Sequence, residues 1–261
     1  AVLDNVEFWL KKGVDGFRLD AINFCFHDME LRDNPAKPAH LRTGKGFSTD
    51  NPYAYQFHYY NNTRPENLEF LEKLRSLMNK YPNKLSLGEV SSEDSLGTIA
   101  EYTNGGNKLH TAYSFELLTD DFSAKHIRDT ISEFEAKIKD GFPCWAIGNH
   151  DVERVQTRWG KKYPEQVAKQ PHFASFLTGI LTSLRGSFCI YQGDELGLEE
   201  AHVEFQDLQD PFGIAFWPTF KGRDGCRTPM PWSHDSKNIG FSEKDRPWLP
   251  VCEQHKLVAV D

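Results

Sequence analysis

The stretch GVDGFRLDAI, residues 13–22, decides how the rest of the chain is read. It is short and mostly apolar, and it carries charge where it ends, as a parallel strand does when its C-terminal end opens into a site. Asp20 therefore stands at a strand end. Ahead of it Val2, Val6, Trp9 and Leu10 recur at helical spacing, and Gly13 sits where a helix stops. Behind it residues 28–63 are polar and rich in Pro, Asn and Gly. They are expected to form a long βα loop, of the kind that is functional when it occurs inside a compact domain.

The same alternation then repeats. Leu68, Leu71, Leu74 and Leu77 line a helix, and KLSLGEV (84–90) is a strand closing on Glu89. SLGTIAEYT (95–103) predicts a short helix and HTAYSFELL (110–118) a strand with Phe115 at its end. Ile127, Ile131, Phe134 and Ile138 mark another helix. PCWAIGNHD (143–151) is a strand bearing His150 and Asp151 at its end. Residues 164–184 open with Pro and carry a broad apolar face, and GSFCIYQGDEL (186–196) supplies a fifth strand.

Alternating strands and helices predict an α/β protein with a parallel sheet, either a (β/α)8 barrel or an open doubly wound sheet. Two features favour the barrel. No glycine-rich phosphate loop follows any strand, and three different strands end in carboxylates, Asp20, Glu89 and Asp151. Five strands cannot close a barrel of eight. The expectation is that residues 1–198 hold roughly strands 4 to 8, that 199–261 form an elaborated last βα loop with the final helix region, and that three strands precede Ala1.

Composition narrows the function. With 39% hydrophobic and 26% charged residues the chain is neither disordered nor fibrous, and its net charge of −8 disfavours nucleic acid and anionic membranes as partners. The five cysteines, Cys25, Cys144, Cys189, Cys226 and Cys252, form no CxxC pair, which points to reduced thiols and a cytoplasmic location. No apolar run approaches the ~20 residues of a spanning helix. An aromatic content of 13% suits the flat faces of sugar rings, and YAYQFHYYNN (53–62) fits either core or the wall of a sugar cleft.

Three carboxylates around one point are what glycosidic cleavage requires: an acid for the leaving group, a nucleophile, and a charge to steady the oxocarbenium-like centre. Arg18, two residues before Asp20, points to the same strand face and would keep that carboxylate ionised. His150 and Asp151 could ligate zinc, but no HxH or HExxH partner occurs, so no metal or cofactor is expected.

At these strand ends the sequence resembles the α-amylase family of glycoside hydrolases. GVDGFRLDAI resembles its second signature region, LGEV its third and IGNHDVERV its fourth, while YQGDELGL (191–198) and GRDGCRTPMPW (222–232) resemble the α-glucosidase and oligo-1,6-glucosidase branch. The resemblance implies Asp20 as nucleophile, Glu89 as general acid/base and Asp151 as the carboxylate that binds sugar hydroxyls. It implies substrate contacts from Arg18, Ala21, His150 and Arg223, with Arg227 ranked behind Arg223, while Phe115 at its strand end fits either core or the wall of a sugar cleft. A small residue at position 21 accompanies α-1,4 preference in that branch, whereas valine accompanies α-1,6 cleavage. The first signature region is absent, and with it half of the sugar subsite. The implied activity is a retaining exo-α-glucosidase acting on maltose-like small molecules. The rivals are a sucrose isomerase or transglucosylase of the same branch, and a non-catalytic barrel kept as a binding partner.

Overall fold

The computed structural model describes residues 1–42, 51–164 and 171–261. The chain divides into two compact units. The first comprises residues 1–119, 123–145 and 185–187, the second 120–122, 146–184 and 188–261.

The first unit is built as the alternation predicts. Helix α1 (Val2–Lys11) ends before Gly13, whose φ of +96° suits only glycine, and the chain enters strand β1 (Gly16–Leu19). Helix α2 (Glu66–Met78), strand β2 (Leu85–Val90), helix α3 (Ser95–Thr103), strand β3 (Thr111–Ser114) and helix α4 (Ala124–Lys137) follow. Strands β1, β2 and β3 form one parallel sheet in sequence order. Its register sets Leu19 beside Gly88 and Glu89 beside Tyr113. Leu10 of α1 and Leu74, Leu77 and Met78 of α2 make a buried cluster that covers Phe17 and Leu19 of β1. Of the apolar stripe on α1 only Leu10 is buried; Val2 and Trp9 are exposed.

Between β1 and α2 the described residues of the expected long excursion form short 3-10 turns at Ile22–Phe24, Ala39–Leu41 and Pro52–Tyr55, with an antiparallel bridge from Ala36 to Gln56. Residues 43–50 of that loop lie outside the described residues. The aromatic run at 53–62 is part buried and part exposed. His58 is buried and stacks on Tyr53 at 3.7 Å, while Tyr55 and Tyr59 are exposed.

Strand β4 (Cys144–Ala146) pairs with strand β5 (Ser187–Cys189) in a two-stranded sheet. Both are shorter than the apolar runs that announced them. In the second unit helix α5 (Val155–Gly160) and helix α6 (Pro171–Ser183) pack about Phe122, which stacks on Trp159 at 4.4 Å and meets Phe173 edge-on. The helix expected from Pro164 is described only from Pro171, because residues 165–170 lie outside the described residues. A short helix α7 (Pro211–Ala215), capped by Asp210, precedes the Arg223–Arg227 segment. Among the described residues no helix is long and apolar enough to cross a membrane.

Candidate active site

Asp20 is the first residue past β1. Ala21 follows in the left-handed region, with φ of 41° and ψ of 45°, and turns the chain at once into the Ile22–Phe24 turn. That conformation costs a non-glycine residue about 1–2 kcal/mol. Buried polar groups hold the turn in place. Asn23 donates to the carbonyl of Ser91 at 2.7 Å, and Asn67 donates to the carbonyl of Ile22 at 3.0 Å. Gly88 lets the turn approach, since a Cβ there would stand 2.5 Å from Leu109 Cδ1 and 3.2 Å from Ile22 Cγ2. The kink aims the Ala21 N–H at Glu89 Oε2, 3.0 Å away.

Glu89, near the end of β2, is the buried member of the group, its side chain 7% exposed against 79% for Asp20. Arg18 pairs with both, through Nη1 to Asp20 and through Nη2 to Glu89 Oε1 at 2.6 Å. Burial opposes the Arg18 charge, but its hydrogen bonds to Tyr113 and Asp20 prevail and hold the guanidinium firmly ionised. For Glu89 burial is the largest influence and raises its proton affinity. The Ala21 N–H, the Tyr113 hydroxyl and the Arg18 charge pull it down, a hydrogen bond shared with Asp20 pushes it up, and the net direction is up. One exposed carboxylate on a guanidinium therefore stands beside one buried carboxyl group whose proton affinity is raised.

Tyr113 was not anticipated from the sequence. Its hydroxyl donates to Glu89 Oε1 at 2.8 Å and accepts from Arg18 Nη2 at 2.9 Å. The available signal was its position two residues before Phe115, on the same strand face. Phe115 itself lies just past β3, part-buried, with its ring 6.5 Å from that of Tyr113.

The second unit gathers the remaining expected residues. His150 and Asp151 lie in a turn beyond β4 rather than on the strand, so they are not held to opposite faces, and His150 Nε2 comes 3.3 Å from Asp151 Oδ2. The turn is fixed by Asn149, whose side chain accepts from the Asp151 N–H at 2.9 Å, and by buried Arg158, which donates to the Ile147 carbonyl at 2.6 Å. Both arginines reach Asp151 Oδ1 at 2.9 Å, Arg223 through Nη1 and Arg227 through Nη2. Arg223 is also committed elsewhere: Nε, Nη2 and its backbone N–H all donate to the fully buried carboxylate of Asp210. Burial alone would raise Asp210, yet the bonds and charge of Arg223 hold it below its usual range. Arg227 spends Nε on the His150 carbonyl at 2.7 Å. Among the described residues no group of three or more His, Cys, Asp or Glu is arranged to hold a metal ion.

The first unit thus carries a guanidinium-bridged pair of carboxyl groups at the ends of adjacent parallel strands, and the second a carboxylate clamped by two arginines. These are the features of an α/β protein that gathers charged side chains near its strand ends. The chain belongs to the α-amylase family: the catalytic domain of α-amylase matches residues 1–261. It is 48% identical over 264 residues to a probable α-glucosidase of Rhizobium meliloti (strain 1021), covering 100% of this chain and 47% of that protein. It is 28% identical to the oligo-1,6-glucosidase of Parageobacillus thermoglucosidasius, covering 99% of this chain and 48% of that one. Among solved structures it is similar to the α-glucosyl transfer enzyme XgtA, with a TM-score of 0.93 and 63% identity over 99% of this chain and 47% of the other. The chain spans about half the length of the relatives it matches.

Proposed function

We propose that this chain carries the catalytic carboxylates of a retaining exo-α-glucosidase, with its strands standing as roughly the fourth to the eighth of a (β/α)8 barrel. Asp20 attacks the anomeric carbon while protonated Glu89 donates to the leaving oxygen; Glu89, now a base, then activates water to release glucose with net retention. The observation that carries this is the single Arg18 guanidinium that pairs with both carboxyl groups, through Nη1 to Asp20 and through Nη2 to Glu89 Oε1 at 2.6 Å. Inverting enzymes hold their two carboxyls roughly 6.5–9.5 Å apart to admit a water between them, and retaining ones keep them about 5–5.5 Å apart. One guanidinium reaching both carboxyl groups supports the closer, retaining spacing.

Asp151 binds sugar hydroxyls, as the family resemblance implies, with Arg223 and Arg227 holding its carboxylate. The small residue at Ala21 supports a preference for α-1,4 links in maltose-like substrates. A second reading has a specific support in the 63% identity to a glucosyl transfer enzyme: an acceptor alcohol in place of water at the deglycosylation step. Proton NMR of the first-formed glucose from maltose separates these outcomes. Newly released α-glucose supports retention and β-glucose overturns it, and glucosides accumulating in place of glucose identify transfer as the main reaction.

A further inference from the structure

Tyr113 has its oxygen and its hydrogen committed to different partners. The oxygen accepts from Arg18 Nη2 at 2.9 Å, so the hydroxyl hydrogen points away from the guanidinium and along the 2.8 Å contact to Glu89 Oε1. The same Oε1 lies 2.6 Å from Arg18 Nη2. A donor and a positive charge therefore meet on one oxygen of Glu89, and a proton placed there would face both. The other oxygen, Oε2, accepts from the neutral N–H of Ala21, at 3.0 Å, and Glu89 also meets the Asp20 carboxyl group. Register keeps the arrangement in place, because Glu89 and Tyr113 are paired neighbours on β2 and β3, and both are buried.

We infer that Tyr113 is a positioning residue which, together with Arg18, reserves Oε1 of Glu89 and so makes Oε2 the oxygen that carries the transferable proton. The inference deepens the glycosidase reading and rests on it for its kinetic consequence. The charged and titratable groups that face Glu89 are Arg18 and Asp20 from the end of β1 and Tyr113 from β3; the turn after Asp20 offers the Ala21 N–H, and Glu101 of α3 is exposed to solvent. An acid with one oxygen reserved keeps its proton pointed in a single direction, which is worth most when the leaving group is poor.

Tyr113→Phe tests this, since it removes the hydroxyl and keeps the ring. A donor to a carboxylate favours the ionised form, so its loss lets Glu89 hold its proton to higher pH. The basic limb of kcat/KM is expected to move up by about one pH unit, with kcat on maltose about tenfold lower and kcat on p-nitrophenyl α-glucoside, which needs little acid assistance, changed less than about twofold. Equal losses on both substrates with an unmoved limb would overturn the inference. Carbon-13 NMR of carboxyl-labelled glutamate, with the Glu89 signal assigned by Glu89→Gln, reads the same shift without turnover. Were the protein to cleave no α-glucoside, the function would fall while that titration still decided the role of Tyr113: an upward shift upholds it and an unchanged titration overturns it.

Discussion

Arg223 and Arg227 touch the same oxygen of Asp151 at the same distance, yet their removal should have very different consequences. The partner that matters is Asp210, whose side chain is fully buried and takes the Nε, Nη2 and backbone N–H of Arg223 between 2.8 and 2.9 Å. Breaking a buried ion pair from one side costs about 3–5 kcal/mol, because the stranded charge stays out of water. Arg223→Gln leaves Asp210 two backbone donors, from residue 223 and from Phe212 at 3.3 Å, so a loss near the lower end, about 3 kcal/mol, is expected at pH 7. Arg227→Gln leaves Asp151 with Arg223, at a part-exposed carboxylate, and should cost about 1 kcal/mol or less. The pH dependence fixes the cause. Asp210 is depressed in the native protein, so the stability it contributes is present above its unfolded value near 3.8 and is lost as pH falls through its folded value. The deficit of Arg223→Gln should therefore shrink towards pH 4, as Asp210 takes up a proton in the variant. Urea unfolding at pH 7 and pH 4 measures both quantities. Equal losses for the two variants, or a deficit that does not shrink with acid, would refute the assignment of Asp210 as the stranded charge.

Asp20→Asn should lower turnover at least about a thousandfold, since the neutral amide cannot form the glucosyl ester, with little change in the unfolding midpoint because the side chain is exposed; unchanged turnover would end its assignment as nucleophile. Asp194, which burial raises to about 6, binds more protons folded than unfolded between about pH 4 and 6, so stability falls as pH rises through that window. Asp194→Asn should flatten that slope and stabilise the protein at pH 8 by up to about 3 kcal/mol. A less stable Asp194→Asn at pH 8, by thermal unfolding, would show that its ionised form is favourably paired with Arg154 and Arg158.

The sequence announced some parts of this structure and not others, for physical reasons. Strand ends at Asp20 and Glu89 were legible because apolar runs gave way abruptly to charge, and SLGTIAEYT mapped directly onto α3 because Asp94 caps it. The pairing of Arg18 with Asp20 followed from period-two geometry alone. Tyr113 stayed hidden because a tyrosine in a fully buried strand looks like core until the register sets it beside Glu89. His150 and Asp151 were expected on a strand, but Asn149 and Arg158 satisfy the backbone there and let the ladder stop at Ala146. The role of Asp210 could not be read at all, since its partner Arg223 reaches it across a loop with no periodicity to mark it.

A covalent trap addresses the central claim most directly. The protein, incubated with 5-fluoro-α-D-glucopyranosyl fluoride and digested, should show one fluoroglucosyl mass increment on the peptide containing Asp20, and none on that peptide in Asp20→Asn. Labelling at Glu89, or the absence of any adduct while maltose is still being cleaved, would contradict the double-displacement account.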